Sequence, residues 1–330
     1  MNTIARILLV LAVSTGSSNA RAIDTNRADV QAFVTDMVTQ HGYDRARLIE
    51  ILAGAESQAA ILEAISTPAE RTLSWLEYRD IFLTDKRVTA GAEFWREHFD
   101  TLQRISRETG VSCEVLVGII GVETFFGRIT GKYRVLDALA TLAFDYPPRA
   151  GFFRRELEEF LLLASEEQMD PADATGSYAG AMGAPQFMPS SFRAYAVDAN
   201  ADGKRDIWTD WADVIGSVAN YFVAHGWQRD REVAALASLA DNWQGKEPDN
   251  SLRPRDTVAS LSHSGVLFAT DLDEDEQGQL LKLDGAGGEE YWVGFHNFFV
   301  ITRYNHSVMY ALAVYQLGRE IALKVQHGDV

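Results

Sequence analysis

Cys113 is the only cysteine in this chain, so no intrachain disulfide can form and stability has to come from a packed core. Proline is scarce, 8 in 330 residues, which leaves long stretches free to run as helix. Basic residues are outnumbered 30 to 47, giving a formal net charge of −17 and a sequence pI near 4.8. No basic stripe is present to meet a phosphate backbone, which excludes nucleic acid as a partner. The 7 histidines show no His-Glu-x-x-His pattern and there is no paired Cys, which argues against a catalytic zinc. Internal repeats and low-complexity linkers are also lacking.

The apolar run Ile7 to Val13 is too short to cross a bilayer as a stable anchor. Arg6 precedes it and Ser18-Asn19-Ala20 follows, the pattern of an export signal over residues 1–20; the competing reading is a buried N-terminal helix, which the small polar residues Ser14 to Ser18 interrupt. No Cys lies near the expected cleavage point, so a lipid-anchored mature terminus is not expected. The mature protein is expected to be soluble and periplasmic.

Hydrophobic content of 47% is enough for a substantial core. Apolar residues recur at helical spacing over most of the chain, including 27–40, Ala92 to Arg107, Ser112 to Phe126, Val135 to Phe144, Phe152 to Gln168, Trp211 to His225 and Ser307 to Ile321. Between 253 and 300 the character changes. Thr257-Val258, Leu280 to Leu283 and Tyr291 to Phe295 read as short strands around the turn Asp284-Gly285-Ala286-Gly287-Gly288. The expected architecture is mainly α: a helical body over 23–252, a small inserted β subdomain over 253–300, and a C-terminal helix over 301–330 that returns to the body.

Glu123 interrupts the apolar stripe of its helix. Ile120, Ile119 and Leu116 lie three, four and seven positions before it, so a carboxyl group sits where an oily side chain belongs. Desolvation there favours the protonated form, the condition for a general acid near neutral pH. A buried Glu paired with an Arg fits this helix equally well. Two further segments crowd glycine against polar residues: Ser177-Tyr178-Ala179-Gly180-Ala181-Met182-Gly183-Ala184-Pro185-Gln186-Phe187-Met188-Pro189-Ser190-Ser191, whose small residues would let a bulky ligand approach the backbone, and Arg303-Tyr304-Asn305-His306-Ser307 with Tyr310 after it.

Together with Glu123-Thr124-Phe125-Phe126-Gly127, these segments resemble the B-type lytic murein transglycosylases, a lysozyme-like family that cleaves peptidoglycan. The likeness runs from about Tyr78 to Tyr310. It implies a lysozyme-like helical catalytic body, a small β subdomain and a groove for glycan strands, with other cell-wall enzymes as possible partners. Carried onto this sequence, the single catalytic acid/base falls on Glu123, and substrate-binding residues fall on Tyr78, Ser177, Gln186, Tyr221, Tyr304, Asn305 and Tyr310. Arg149 falls where the family has a basic residue able to meet anionic stem peptides.

One carboxylate is enough for the implied chemistry. Most glycosidases use two, but the N-acetyl group of N-acetylmuramic acid can stabilise the developing charge at its own anomeric carbon, with Asn305 and Ser177 to orient it. Glu123 would protonate the glycosidic oxygen and then take a proton from the 6-hydroxyl, closing a 1,6-anhydro ring. No cofactor is required. The alternatives are a muramidase that uses water as acceptor and a non-catalytic peptidoglycan-binding scaffold.

A separate motif, Asp198 to Asp206, places oxygen-bearing side chains at positions one, three, five and nine of an EF-hand-like loop (Asp198, Asn200, Asp202, Asp206) with Gly203 at six and Lys204 at seven. Position twelve is Thr209 rather than Glu, with Asp210 one residue later. A structural Ca2+ held by Asp198, Asn200, Asp202, Lys204 and Asp210 is one reading, which the resemblance supports because the B-type family carries such a loop here. A solvated Asx-rich turn is the other.

Overall fold

Side-chain capping marks where many of the helices begin. In the computed structural model, which describes residues 20–66 and 73–328, Asp44, Ser74, Thr84, Ser112 and Ser307 each accept a backbone N–H from the first turn of the helix that follows. Ser74 and Glu77 form a reciprocal capping box. The export segment expected at 1–20 lies outside the described residues except for Ala20. The described chain is mainly helical, and it divides into two units.

The first unit comprises residues 73–126 and 215–328 among those described. Its centre is the helix Cys113–Thr124, in which nearly every side chain is buried. The helix Val308–His327 crosses it through glycines. A Cβ on Gly118 would lie 2.4 Å from the Val314 carbonyl oxygen, and one on Gly318 would lie 2.2 Å from that of Glu114, so only glycine lets the two backbones touch. Cys113 is buried in the first turn of the central helix, a packing residue.

The stretch expected as one helix from Ala92 to Arg107 is two, Asp85–Glu97 and Phe99–Thr109. They break at His98, whose φ of −108° and ψ of 23° are not helical and whose ring packs 4.5 Å from that of Phe94. The helix expected from Ser112 to Phe126 stops at Thr124.

The first unit also holds a five-stranded antiparallel sheet in the spatial order Asp256–Thr257, Gln277–Gly285, Gly288–Phe295, Ala234–Leu239, Val266–Phe268. Its longest hairpin pairs Gly285 with Gly288 across a two-residue turn, and Gly288 takes a φ of +116° that favours glycine. Val258, Leu261, Val266, Leu280, Val293 and Phe295 form its apolar core. The sheet begins earlier than the change of character at 253 indicates, because Ala234–Leu239 joins it. That segment, Ala-Ala-Leu-Ala-Ser-Leu, has no β-branched residue, and its strand form follows from pairing on both sides, to Tyr291–Gly294 and to Val266–Phe268.

The second unit comprises residues 20–66 and 127–214. Helices Ala28–His41, Arg45–Ala53, Ala59–Ser66, Val135–Asp145, Ala150–Glu166 and Pro189–Tyr195 belong to it. Asp137, wholly buried, is a hub: it accepts two hydrogen bonds from Arg134 at 2.8 and 2.7 Å, one from the Glu56 N–H at 2.9 Å and one from Gln58 Nε2 at 3.1 Å. A buried carboxylate is tolerated there because its oxygens are saturated with donors.

Candidate active site

Glu123 stands in the last turn of Cys113–Thr124, half-buried. The next residues leave the helix abruptly: Phe125, Phe126 and Gly127 all take left-handed φ, 51°, 58° and 76°. Two consecutive aromatic residues in that region are strained, and packing holds them. The Arg87 guanidinium lies 4.9 Å from the Phe125 ring centre and 5.0 Å from that of Phe82, while Phe126 stacks on Phe94 at 5.4 Å. Burial pushes Arg87 down to about 10.

A phenol faces the carboxylate. The Tyr310 hydroxyl donates to Glu123 Oε1. Tyr310 is in the first turn of Val308–His327, whose glycine crossing with the Glu123 helix fixes the pair. Burial first, then the charge of Glu123, pushes the Tyr310 and Tyr304 phenols well above the usual tyrosine range, so both remain protonated donors at any physiological pH.

The other tyrosines form a buried aromatic wall in the same unit. The Tyr221 ring packs 4.8 Å from Tyr304 and 4.1 Å from His225, and its hydroxyl donates to the Arg303 carbonyl at 2.7 Å. Tyr78 has no exposed surface and lies between Trp75 and Phe82, so its ring offers no open face to a sugar. Asn305 ends the helix His296–Tyr304 in an extended conformation. Its Oδ1 is buried without a hydrogen-bond partner among the described residues, an acceptor left open beside this wall.

Thus Glu123, Tyr78, Tyr221, Tyr304, Asn305 and Tyr310 belong to the first unit. Arg149, Ser177, Gln186 and the Asp198 loop belong to the second. Ser177 is buried, and its Oγ accepts from the Ala179 and Ala181 N–H groups at 3.3 and 3.1 Å. Gln186, at φ 52°, donates through Nε2 to the carbonyls of Thr130 and Gly183 at 3.0 and 2.9 Å. Within this unit the glycines of the run make room for backbone: a Cβ on Gly176 would meet the Ala181 carbonyl oxygen at 2.2 Å, and one on Gly183 that of Ile207 at 2.3 Å. Arg149 closes the 3-10 turn Pro147–Arg149 and lies 4.3 Å from the Phe152 ring centre, with no ion pair among the described residues.

In the Asp198 loop, side-chain oxygens turn onto the loop's own N–H groups. Asp198 accepts from Asp202 and Gly203, at 3.1 and 2.8 Å, Asn200 from Asp202 at 2.9 Å, and Asp202 from Lys204 at 2.9 Å. Asn200 Nδ2 donates to Asp210 at 2.7 Å, and Thr209 bonds Asp206. No three acidic, His or Cys side chains converge on one point among the described residues. The oxygen-only donor set and the left-handed Gly203, at φ 90°, fit the chemistry of a hard cation. Asp213, which the sequence did not single out, anchors the loop by accepting from the Ala199 and Asp206 N–H groups at 2.7 and 2.8 Å.

Residues 25–319 match the family model of the transglycosylase SLT domain. The chain belongs to this family. It is 46% identical over 307 residues to the membrane-bound lytic murein transglycosylase B of Escherichia coli strain K12, an alignment covering 90% of this chain and 84% of that protein. Among solved structures, the catenated lytic transglycosylase SltB1 of Pseudomonas aeruginosa superposes with a TM-score of 0.85 at 50% identity, covering 91% of this chain and 99% of that one. The Escherichia coli lytic transglycosylase Slt35 in complex with calcium gives 0.83 at 45% identity, over 91% and 95%. The mainly helical, lysozyme-like fold of this transglycosylase is that of its relatives, and the family is one of enzymes, which disfavours the scaffold reading.

Proposed function

We propose that this transglycosylase cuts the β-1,4 bond between N-acetylmuramic acid and N-acetylglucosamine in peptidoglycan and leaves 1,6-anhydro ends, with Glu123 as its single acid and base. The observation that carries the reading is the Glu123–Tyr310 pair, in the unit that also holds the open Asn305 acceptor. Protonated Glu123 gives its proton to the glycosidic oxygen as the C1–O bond breaks, and the acetamido group of the same muramyl residue supports the positive charge at C1. The 6-hydroxyl oxygen then bonds to C1 and its proton returns to the Glu123 carboxylate. No water is consumed.

The hydrogen bonds of the neighbours support a role for each. Tyr310, kept protonated, steadies the Glu123 carboxylate between the two steps. Asn305 Oδ1 accepts the acetamido N–H. Tyr304, backed by Tyr221, supplies an aromatic face, while Tyr78 supports the wall from within. Ser177 retains its own hydroxyl proton to offer an acetamido carbonyl, Gln186 fixes the loop that presents it, and Arg149, free of ion pairs among the described residues, meets stem-peptide carboxylates. The protein acts in the periplasm after export, alone or beside other cell-wall enzymes; no helix among the described residues is long and apolar enough to cross a membrane. A calcium ion would be held by Asp198, Asn200, Asp202, the Lys204 carbonyl and Asp210, and would brace that loop.

Mass spectrometry of digested peptidoglycan tests the reading. Products lighter by one water per cut are expected, and reducing muramic ends would favour the muramidase instead.

A further inference from the structure

The helix pair that sets Glu123 against Tyr310 builds something else at its opposite end. There the first unit encloses a cleft of about 1110 Å³ at the start of the Glu123 helix, lined in part by Glu114 and by Tyr315 and Arg319 of the partner helix. Glu114 is nine residues from Glu123, about 14 Å along the axis, so the cleft is separate from the catalytic pair.

Its charge runs against that of the chain. Within a protein of formal charge −17, the cleft gathers Arg107, Arg229 and Arg319, none in an ion pair among the described residues. Arg229 is held in place by the Arg107 carbonyl at 2.9 Å, and Arg319 by the Tyr315 hydroxyl at 3.2 Å. Three acids share the walls with four arginines, so the cleft keeps a small positive excess. Glu232 accepts from the Thr270 hydroxyl and the Asp271 N–H, both at 2.9 Å, burial pushes the Glu114 carboxyl upward against the opposing charge of Arg319, and Asp230 is on the open rim. Arg231 already pairs with Glu276 at 3.1 Å.

Flat apolar surface completes the cleft. Trp292 meets Tyr315 edge to face at 6.2 Å, Trp227 is fixed by its indole N–H to the Gly110 carbonyl at 2.9 Å, and Leu236, 62% exposed, lies across the sheet from Trp292. Arg107 and Arg229, outside any ion pair among the described residues, with Arg319 beside them and aromatic faces next to all three, suit a ligand with carboxylates and apolar or sugar surface together.

We propose that this cleft is a second peptidoglycan-binding site, one that grips the anionic stem peptides of a strand while Glu123 works at the far end of the same helix. The proposal rests on the transglycosylase reading for the choice of ligand. Two sites on one polymer raise its effective concentration at the catalytic pair without any new catalytic contact.

Titration of the Glu123→Gln protein with a stem-peptide-bearing muropeptide tests it, the substitution keeping the ligand intact. Two binding events per chain are expected, falling to one when Arg107→Glu and Arg319→Glu are added, and a peptide-free glycan is expected to bind once in both proteins. In an otherwise unaltered enzyme, the two arginine substitutions should slow digestion of whole sacculi roughly tenfold as avidity is lost, with turnover of a short muropeptide unchanged. Should charge reversal unfold the protein, Arg107→Gln with Arg319→Gln replaces it. A single binding event in the parent, or undiminished sacculus digestion by the variant, overturns the proposal. Failure of the transglycosylase reading would look different: the parent enzyme would release no anhydro product.

Discussion

Glu123 and Glu156 are both helical glutamates set among apolar neighbours, one in each unit, and their surroundings differ in kind. Glu156 accepts the Ser190 N–H at 3.0 Å and the Ser190 hydroxyl at 2.8 Å, so both its oxygens serve to tie the helix Ala150–Glu166 to the start of Pro189–Tyr195. Burial pushes its carboxyl upward, only partly offset by those two donors. Glu123 is less buried and accepts from the Tyr310 phenol, in a unit that also holds the open acceptor of Asn305. Under the proposed mechanism, desolvation alone therefore does not make a catalytic acid. What distinguishes the two is whether neighbouring polar groups are spent on the fold or left for a substrate.

The sharpest way to break this comparison is to remove each proton in turn. Glu123→Gln is expected to cut the rate of peptidoglycan lysis by roughly 10²–10⁴-fold with little change in melting temperature, whereas Glu156→Gln should leave lysis near its original rate. Lysis retained by the first variant would take Glu123 out of the mechanism.

Next in size is a test of what holds Glu123 in place. Gly118→Ala pushes a methyl against the Val314 carbonyl oxygen, and is expected to cost about 3 kcal/mol, read as a lower denaturant midpoint together with weaker activity. Smaller still is the stability effect at Glu156. A carboxyl whose value is raised in the folded protein contributes stability that is present in acid and lost as pH rises through that raised value. Glu156→Gln should cost about 1 kcal/mol at low pH, and melting curves across pH should show the gap to the parent closing toward neutrality. A gap that widened with pH would mean the carboxylate, not the acid, is the form the fold prefers. The smallest effect belongs to the Asp198 loop: a calcium chelator is expected to lower stability by less than about 1 kcal/mol with the glycan products unchanged, and an unmoved melting temperature would count against a bound ion.

Much of this was legible in the residues. The apolar spacing around Cys113–Thr124 located the central helix and exposed Glu123 as the odd member of its stripe, and Ser112 marked where it starts. Its end was less readable, because Phe125 and Phe126 adopt left-handed backbone that favours glycine and only tertiary packing makes tolerable. The strand Ala234–Leu239 was hidden because pairing, not propensity, forms it. The hydrogen bond from Tyr310 to Glu123 spans 187 positions and depends on a helix crossing; the signal that could have located that crossing is Gly118-Ile119-Ile120-Gly121, small residues three apart in a buried helix. Ser177 and Gln186 stood out by their company, yet their side-chain bonds hold a loop together, a distinction that no spacing reveals.

The bare contact between the two central helices also bears on heat tolerance. Where side chains separate two helices, warming lets rotamers exchange and the spacing drift; where a carbonyl oxygen abuts an α-carbon, as at Gly118 and Gly318, there is nothing in between to rearrange. Glu123 and its phenol should therefore keep their separation until the whole unit melts, so that activity falls in one step with unfolding and not gradually ahead of it.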